Sequence, residues 1–395
     1  MGQAVRAQAK PTAGDAPKPG GKVRHLVHVF PTFDAGGVQI RMSDVMNRLG
    51  AGYRHTILPL DGRSGCASRI DSGVDATLAP SPDKQGSLPV RLLRYRQMLK
   101  ALKPDLLLTY NWGAIEWTLA HGLHSLGTRI HLESGFGPDE ASGQKARRVY
   151  FRRLALRGIH RLVVPSFVLV EIAKRRWRVP ADKILHVPNG VDCTRFNPDR
   201  ARLPRPPLLP DPGVGDLLVG TAAPLRPEKN LKRLLRVFAQ ATRDRRAKLV
   251  ILGDGPERES LHQTARELGV ADRVHLPGHS DQVHAVLPWL DVYAMSSDTE
   301  QMPNGLVQAM ASGLPVAATD VGDIGRIVAP ANKAFVVGKD DELGFVDGLA
   351  RLLDDRPLRK RLGAENRSRA TDRYTLEGMA ESYRALFEQS LAALP

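Results

Sequence analysis

The chain has 395 residues, 42% hydrophobic, 25% charged and 5% aromatic, with 57 Lys+Arg against 42 Asp+Glu and a formal net charge of +15. At about 150 residues per domain this length predicts two domains or three small ones, and the apolar content excludes a disordered or fibrous chain. No window approaches the ~18 uninterrupted apolar residues of a membrane span, and Cys66 and Cys193 lack metal-ligand or CxxC spacing, which excludes a disulfide scaffold and fits a reducing cytoplasm.

Residues 1–22 have no apolar stretch of the kind a secretory signal needs and read as a flexible tail. Residues 23–30 (VRHLVHVF) form a short β-branched run ended by Pro31, and a loop with Gly36 and Gly37 follows. Over 38–49 the apolar residues Val38, Met42, Val45, Met46 and Leu49 recur at helical spacing. The unit is strand, glycine-rich turn, helix. Further strands are expected at 55–60, 105–109 and 129–133, with a basic amphipathic helix at 90–102. The proline-rich stretch 202–216 (RLPRPPLLPDPGVGD) breaks the pattern and reads as an interdomain linker. Beyond it, strands at 217–221, 247–252, 274–276, 292–295, 315–318 and 334–337 alternate with helices at 230–242, 258–268 and 305–311. Such alternation implies parallel sheets covered on both faces. The fold class is therefore α/β, with two Rossmann-like domains (23–201 and 217–375) whose sheets face each other across a cleft. A last helix within 376–395 is placed to cross back over the first domain. Ligands of such sheets sit beyond the carboxyl ends of the strands.

The stretch SSDTEQMPNGLVQAMASGLPVAATDVGDIG leaves a strand, carries one carboxylate, Glu300, and opens a helix with Pro303, Asn304 and Gly305. A helix N-terminus has unpaired N–H groups and a partial positive charge, so it can hold a diphosphate without a metal. Glu300 is placed either to accept hydrogen bonds from sugar hydroxyls or to cap that helix. The segment resembles the glutamate, seven residues, glutamate motif of family 4 retaining glycosyltransferases, which have the GT-B fold. DAGGVQIRMSDVMNRLG, VPNGVDCTRFNP, LRPEKNLKRLLRVFA and LVILGDGPERESL agree with that family in order and spacing.

The resemblance implies a nucleotide diphosphate sugar as donor substrate, UDP favoured over GDP or ADP, with no cofactor and no metal. By position, Gly36 and Gly37 match the loop that lets the backbone approach the donor phosphates, where a Cβ would intrude. Lys229 matches the lysine that neutralises the leaving diphosphate. The family's partner arginine falls on Pro224, and Arg226 is placed to supply that cation instead. The second glutamate, which holds the ribose hydroxyls, falls on Gln308, whose amide both accepts and donates. Pro303, Asn304, Gly305 and Leu306 form the helix start at the phosphates. Gly253 of GDGPE, and Gly278 with His279, lie where the base is held. The family's first-domain histidine falls on Ser134, which leaves His131 or Glu133 to take part, while Asn111 and Trp112 face the acceptor side. Asn189, Gly190 and Asp192 read as an architectural turn, and residues 135–140 (GFGPDE) as an acidic loop near the acceptor.

Between Lys145 and Arg178, arginine and lysine are interleaved with apolar residues. A basic amphipathic helix of this kind suits an anionic membrane surface. Nucleic acid is not expected, because no RNP, KH, zinc-finger or helix-turn-helix pattern accompanies the charge. The expected function is sugar transfer, with retention, from the nucleotide donor to a glycan or lipid-linked acceptor, by a cytoplasmic protein peripheral on the plasma membrane. Two alternatives stand beside it: a nucleotide-sugar epimerase or phosphorylase on the same scaffold, and a non-catalytic GT-B protein that binds a nucleotide or a partner. Pro224, Gln308 and Ser134 speak for the last; Lys229 and Glu300 speak against it.

Overall fold

The computed structural model describes residues 22–121, 128–136, 140, 143–200, 204–211, 213 and 215–392. The tail 1–21, part of the acidic loop (137–139), positions 202, 203, 212 and 214 of the proline-rich stretch and residues 393–395 lie outside the described residues.

Strands β1 (Arg24–Phe30), β2 (Tyr53–Pro59), β3 (Ala76–Leu78), β4 (Leu106–Tyr110), β5 (Thr128–Leu132), β6 (Arg161–Val164) and β7 (Ile184–His186) form one sheet in the order β3-β2-β1-β4-β5-β6-β7. Every paired neighbour in it is parallel. A second parallel sheet contains β8 (Leu217–Ala222), β9 (Ala247–Leu252), β10 (Val274–Gly278), β11 (Val292–Met295), β12 (Val316–Thr319) and β13 (Val336–Val337), in the order β10-β9-β8-β11-β12-β13. Helices α1 (Gly37–Leu49), α2 (Leu88–Leu102), α3 (Asn111–Ala114), α4 (Glu116–His121), α5 (Ala146–Ala155) and α6 (Phe167–Arg175) accompany the first sheet. The second carries α7 (Leu231–Ala241), α8 (Arg258–Glu267), α9 (Val283–Val286), α10 (Asn304–Ala311), α11 (Ile324–Ile327), α12 (Glu342–Asp354) and α13 (Arg356–Arg373). In both sheets the strand order reverses beside the first strand, between β1 and β4 and between β8 and β11, and such a reversal opens a crevice at the carboxyl ends.

Three expectations are corrected. Residues 330–335 form a 3-10 turn, so the last strand is confined to Val336–Val337. The basic run is not one helix: α5 and α6 flank β6, and its Arg152 is fully buried. The chain crosses between sheets before the proline-rich stretch, because Val191, Cys193 and Phe196 are already packed with Leu218, Met295 and Leu306. Within that stretch Leu209 clusters with Val250 and Leu252 of β9, which places it on the second sheet's side.

The final helix, α14 (Leu376–Ala392), lies on the first sheet. Its Leu376, Met379, Tyr383, Leu386, Phe387 and Leu391 are buried with Leu26, Phe30, Met42 and Tyr110. Six such side chains contribute on the order of 10 kcal/mol before the entropy of ordering the helix is subtracted. The outgoing and returning segments run side by side, Val191 N donating to Tyr374 O (2.8 Å) and Leu376 N to Val191 O (2.9 Å). Gly190 is fitted to this crossing, since a Cβ there would overlap Thr375 O.

The histidines of the leading strands are core rather than chemistry. His28 Nδ1 lies 2.8 Å from Tyr110 Oη and its Nε2 lies 3.0 Å from His55 Nδ1. Burial holds His28 well below the ordinary imidazole range and pushes His55 down to about 4, so both are neutral at pH 7.

Candidate functional site

Two loops at the carboxyl edge of the second sheet are tied together by their own side chains. β11 ends at Met295, and Ser296 Oγ donates to Lys229 O (3.1 Å) and Asn230 O (2.9 Å) in the loop that follows β8. Lys229 Nζ then donates to Glu300 Oε1 at 2.5 Å, and Ser297 Oγ donates to the same oxygen at 2.8 Å. The structure thus brings Lys229 and Glu300 into one ion pair. Arg226 stays exposed, as does Pro224, and its side chain has no partner among the described residues.

Gly253 shapes the same loop from below. It has φ +146°, and a Cβ would overlap Ala223 O; Gly255, at φ +159°, sits the same way under Leu225 O. Gly253 N donates to Gly278 O (2.9 Å), so Gly278 belongs to this support, whereas His279 is exposed and lies 3.5 Å from Asp281.

α10 opens at the mouth of this arrangement. Pro303 occupies its N-cap with no side-chain cap, so the first-turn N–H groups point into the cleft without a protein acceptor side chain. Gly305 is packing as much as approach, because a Cβ would meet Tyr293 Oη at 2.5 Å and Ala222 O at 2.9 Å. Leu306 is fully buried, and Gln308 is half-buried one turn further on. Asn304 faces the first domain. Its Oδ1 accepts from Asn189 Nδ2 (2.9 Å) and from Arg41 Nη1 (3.3 Å).

The first domain meets this edge with α1, whose N-cap Gly36 is extended and uncapped. A Cβ on Gly37 would stand 3.2 Å from Asn304 Nδ2, so the glycine loop and the start of α10 oppose each other directly. Arg41, one turn into α1, sends its second guanidinium nitrogen to Ser134 Oγ (3.3 Å). Ser134 N donates to Asn111 Oδ1 (2.8 Å), and Asn111 itself holds φ +54°.

Of the remaining acceptor-side residues, Trp112 is half-buried, whereas His131 and Glu133 are inside the wall rather than on it. His131 is fully buried with Nδ1 2.8 Å from Thr109 Oγ1. Glu133 is also buried, 3.8 Å from His131 Nε2 and 3.5 Å from Arg152 Nε, with neither oxygen hydrogen-bonded among the described residues. Arg152 stacks against Trp112 (4.9 Å), Trp177 (5.2 Å) and Phe136 (5.5 Å) and donates to Glu140 at 3.1 Å. Burial raises the Glu140 carboxyl, but hydrogen bonds from Arg152 and Arg148 outweigh it and hold the carboxyl below its usual range. Glu140 is thus spent on Arg152 and not offered to a ligand.

Two residues that contribute to this geometry are not found by motif reading. Arg41 is one; its signal was a basic side chain near a helix's positive end, where the dipole disfavours it. Asp323 is the other. It caps α6 across the cleft, accepting from Phe167 N (2.6 Å) and Val168 N (3.3 Å), while Ser166 Oγ donates to Gln301 Oε1 (3.1 Å).

The family model described as "Glycosyl transferases group 1" matches residues 212–369, and that of a "Glycosyl transferase 4-like domain" matches 36–190. The chain belongs to the group 1 glycosyltransferases. Among relatives in the family, it is 28% identical over 162 residues to N-acetyl-alpha-D-glucosaminyl L-malate synthase of Bacillus anthracis, covering 41% of this chain and 42% of that one. It is 30% identical over 144 residues to the lipopolysaccharide core biosynthesis glycosyltransferase LpsD of Rhizobium meliloti, covering 36% and 42%. The matches thus span about two fifths of each relative's length. Anabaena HepE in complex with UDP superposes with a TM-score of 0.76 at 15% identity, covering 92% of this chain and 100% of that one, which places the fold in the family's GT-B architecture.

Proposed function

We propose that this protein transfers a sugar from a nucleoside diphosphate sugar, with UDP favoured, to a hydroxyl of a glycan or lipid-linked acceptor, with retention at the anomeric carbon. The observation that carries the reading is the Lys229–Glu300 pair beside the uncapped start of α10, directly opposite the Gly36–Gly37 loop. In this reading the diphosphate takes Lys229 away from Glu300 and lies against the N–H groups of both helix starts. Glu300, released, accepts hydrogen bonds from hydroxyls of the donor sugar, and Gln308 holds the ribose. Positive charge stabilises the departing nucleotide, and the acceptor hydroxyl attacks from the same face while giving its proton to the leaving phosphate oxygen. Lys229, Arg226 and the helix N–H groups supply that charge, so no metal is assigned a step. The HepE structure holding UDP and the lipopolysaccharide relative support the donor and acceptor classes respectively.

Calorimetric titration with UDP, GDP and ADP, first with a chelator and then with magnesium, tests the donor site. Metal-independent binding of one nucleotide, UDP first among them, is the expected result. Absence of binding to all three, with and without magnesium, overturns the reading and favours the non-catalytic alternative.

We also propose that the protein docks on anionic membrane from the cytoplasm. No helix among the described residues is long and apolar enough to cross a membrane. Support for docking comes from α5, which exposes Tyr150 (66%) and Leu154 (53%) beside Arg147, Arg153 and Arg157. A cation near anionic lipid contributes about 1 kcal/mol, so replacing those three arginines with serine lowers partition into phosphatidylglycerol vesicles by about 100-fold. Co-sedimentation at low salt measures it, and wild-type protein that stays in the supernatant removes the proposal.

A further inference from the structure

We propose that Arg41 is a diphosphate-binding residue, a cation that the first domain carries across the cleft to phosphates held at the start of α10. The inference rests on the donor reading above and goes beyond it by naming a ligand in the opposite domain.

Four observations converge on it. Arg41 spans the domains, with one guanidinium nitrogen on Asn304 Oδ1 and the other on Ser134 Oγ, each at 3.3 Å. Both partners are neutral, and among the described residues Arg41 makes no ion pair; Asp44 and the Tyr383 phenol are the acidic groups that bear on it. Although the residue keeps some surface, burial pushes its pKa down to about 10, which still leaves it charged at pH 7. A desolvated cation without a counter-ion is costly, and an anion seated beside it offsets that cost. Finally, the charge stands near the positive end of α1 and opposite that of α10, so three positive features meet, while Glu300, on the loop before α10, is already taken by Lys229 and Ser297.

The second domain leaves room for such a contribution. Its loop presents Lys229 and an Arg226 whose side chain has no partner among the described residues, with proline at 224. A guanidinium has five N–H donors in a fork that suits phosphate oxygens, and Arg41's two long hydrogen bonds to neutral groups are readily exchanged for charge-assisted ones. Asn304 and Ser134 hold the side chain at the cleft, from where it turns onto the phosphates of the donor. The cleft would then close on its ligand through Arg41 and not through side-chain contacts to the sugar alone.

The test compares a nucleoside diphosphate with its nucleoside, UDP and uridine or the pair of whichever base binds, by NMR titration of wild type, Arg41→Gln and Arg41→Lys. Arg41→Gln is expected to weaken UDP by about 10- to 100-fold and leave uridine unchanged, while Arg41→Lys loses less. Equal UDP affinity in wild type and Arg41→Gln overturns the proposal while sparing the donor reading. Equal losses for UDP and uridine also overturn it, because they mark Arg41 as a brace between the domains. Wild type that binds none of UDP, GDP and ADP refutes the donor reading, and this inference with it. Unchanged circular dichroism and melting temperature in Arg41→Gln show that the comparison is made between folded proteins.

Discussion

Replacing Lys229 with methionine lowers kcat by about 100- to 1,000-fold and leaves the fold in place. The magnitude follows from the place of the ammonium: one pre-positioned donor at a developing negative charge is worth about 3–4 kcal/mol in the transition state. Methionine keeps the length and apolar stem of the side chain, so the loop between β8 and α7, fixed by Ser296, is not disturbed. Stability falls modestly, by about 1–3 kcal/mol, because the Glu300 side chain is only 9% exposed and loses its cation while keeping the hydrogen bond from Ser297 Oγ. Single-turnover assays with saturating donor separate the loss in chemistry from a loss in binding. Wild-type kcat in a folded Lys229→Met protein would falsify the role given to this residue. Lys229→Arg keeps the charge at an altered height and is expected to fall between the two.

Gly253→Ala has the largest expected effect on stability, about 4 kcal/mol, and acts on a different level. The glycine is not a ligand by virtue of its own atoms; its missing Cβ is what lets Ala223 O lie against the backbone at φ +146°. Alanine there adds both a left-handed strain and an overlap with a carbonyl that belongs to the loop bearing Lys229, and no side-chain rotation relieves either. Urea denaturation followed by tryptophan fluorescence measures the change, analysed as more than one transition because two domains need not unfold together. An unchanged midpoint would show that the loop at 223–226 yields more readily than its backbone contacts indicate.

Lys229, Glu300, the two glycines and the start of α10 are legible in the sequence because each lies in a contiguous stretch whose chemistry is local: a turn, a helix start, a charge after a strand. Arg41 is different. Its meaning depends on Asn304, 263 positions later, and on Ser134, 93 positions later, so only the folded pairing of the domains gives it a role. The same holds for Asp323, which caps a helix begun 156 residues earlier. Local reading also misplaces charge. Between Lys145 and Arg178 it counts Arg152 with the solvent-facing cations, although Glu140 and three aromatic rings bury it. The strand β6 is hidden in that run because Arg161 and the neighbouring arginines dominate its composition, while its Leu162, Val163 and Val164 are all buried. His131 and Glu133 show the converse: a polar pair at a strand end reads as chemistry, and packing makes it part of the wall.

The position of α14 bears on how the protein is made. Domains emerging from the ribosome generally fold as units, the first-made one first. Here the first sheet is complete once β7 has been synthesised, but the apolar face against which Leu376, Tyr383 and Phe387 pack stays open until some 200 further residues have followed. The second domain, with all its strands between residues 217 and 337, closes without that helix. The domain translated last therefore finishes first, and the one translated first waits on a nascent chain with an exposed apolar face, which is where a holding chaperone is expected to bind.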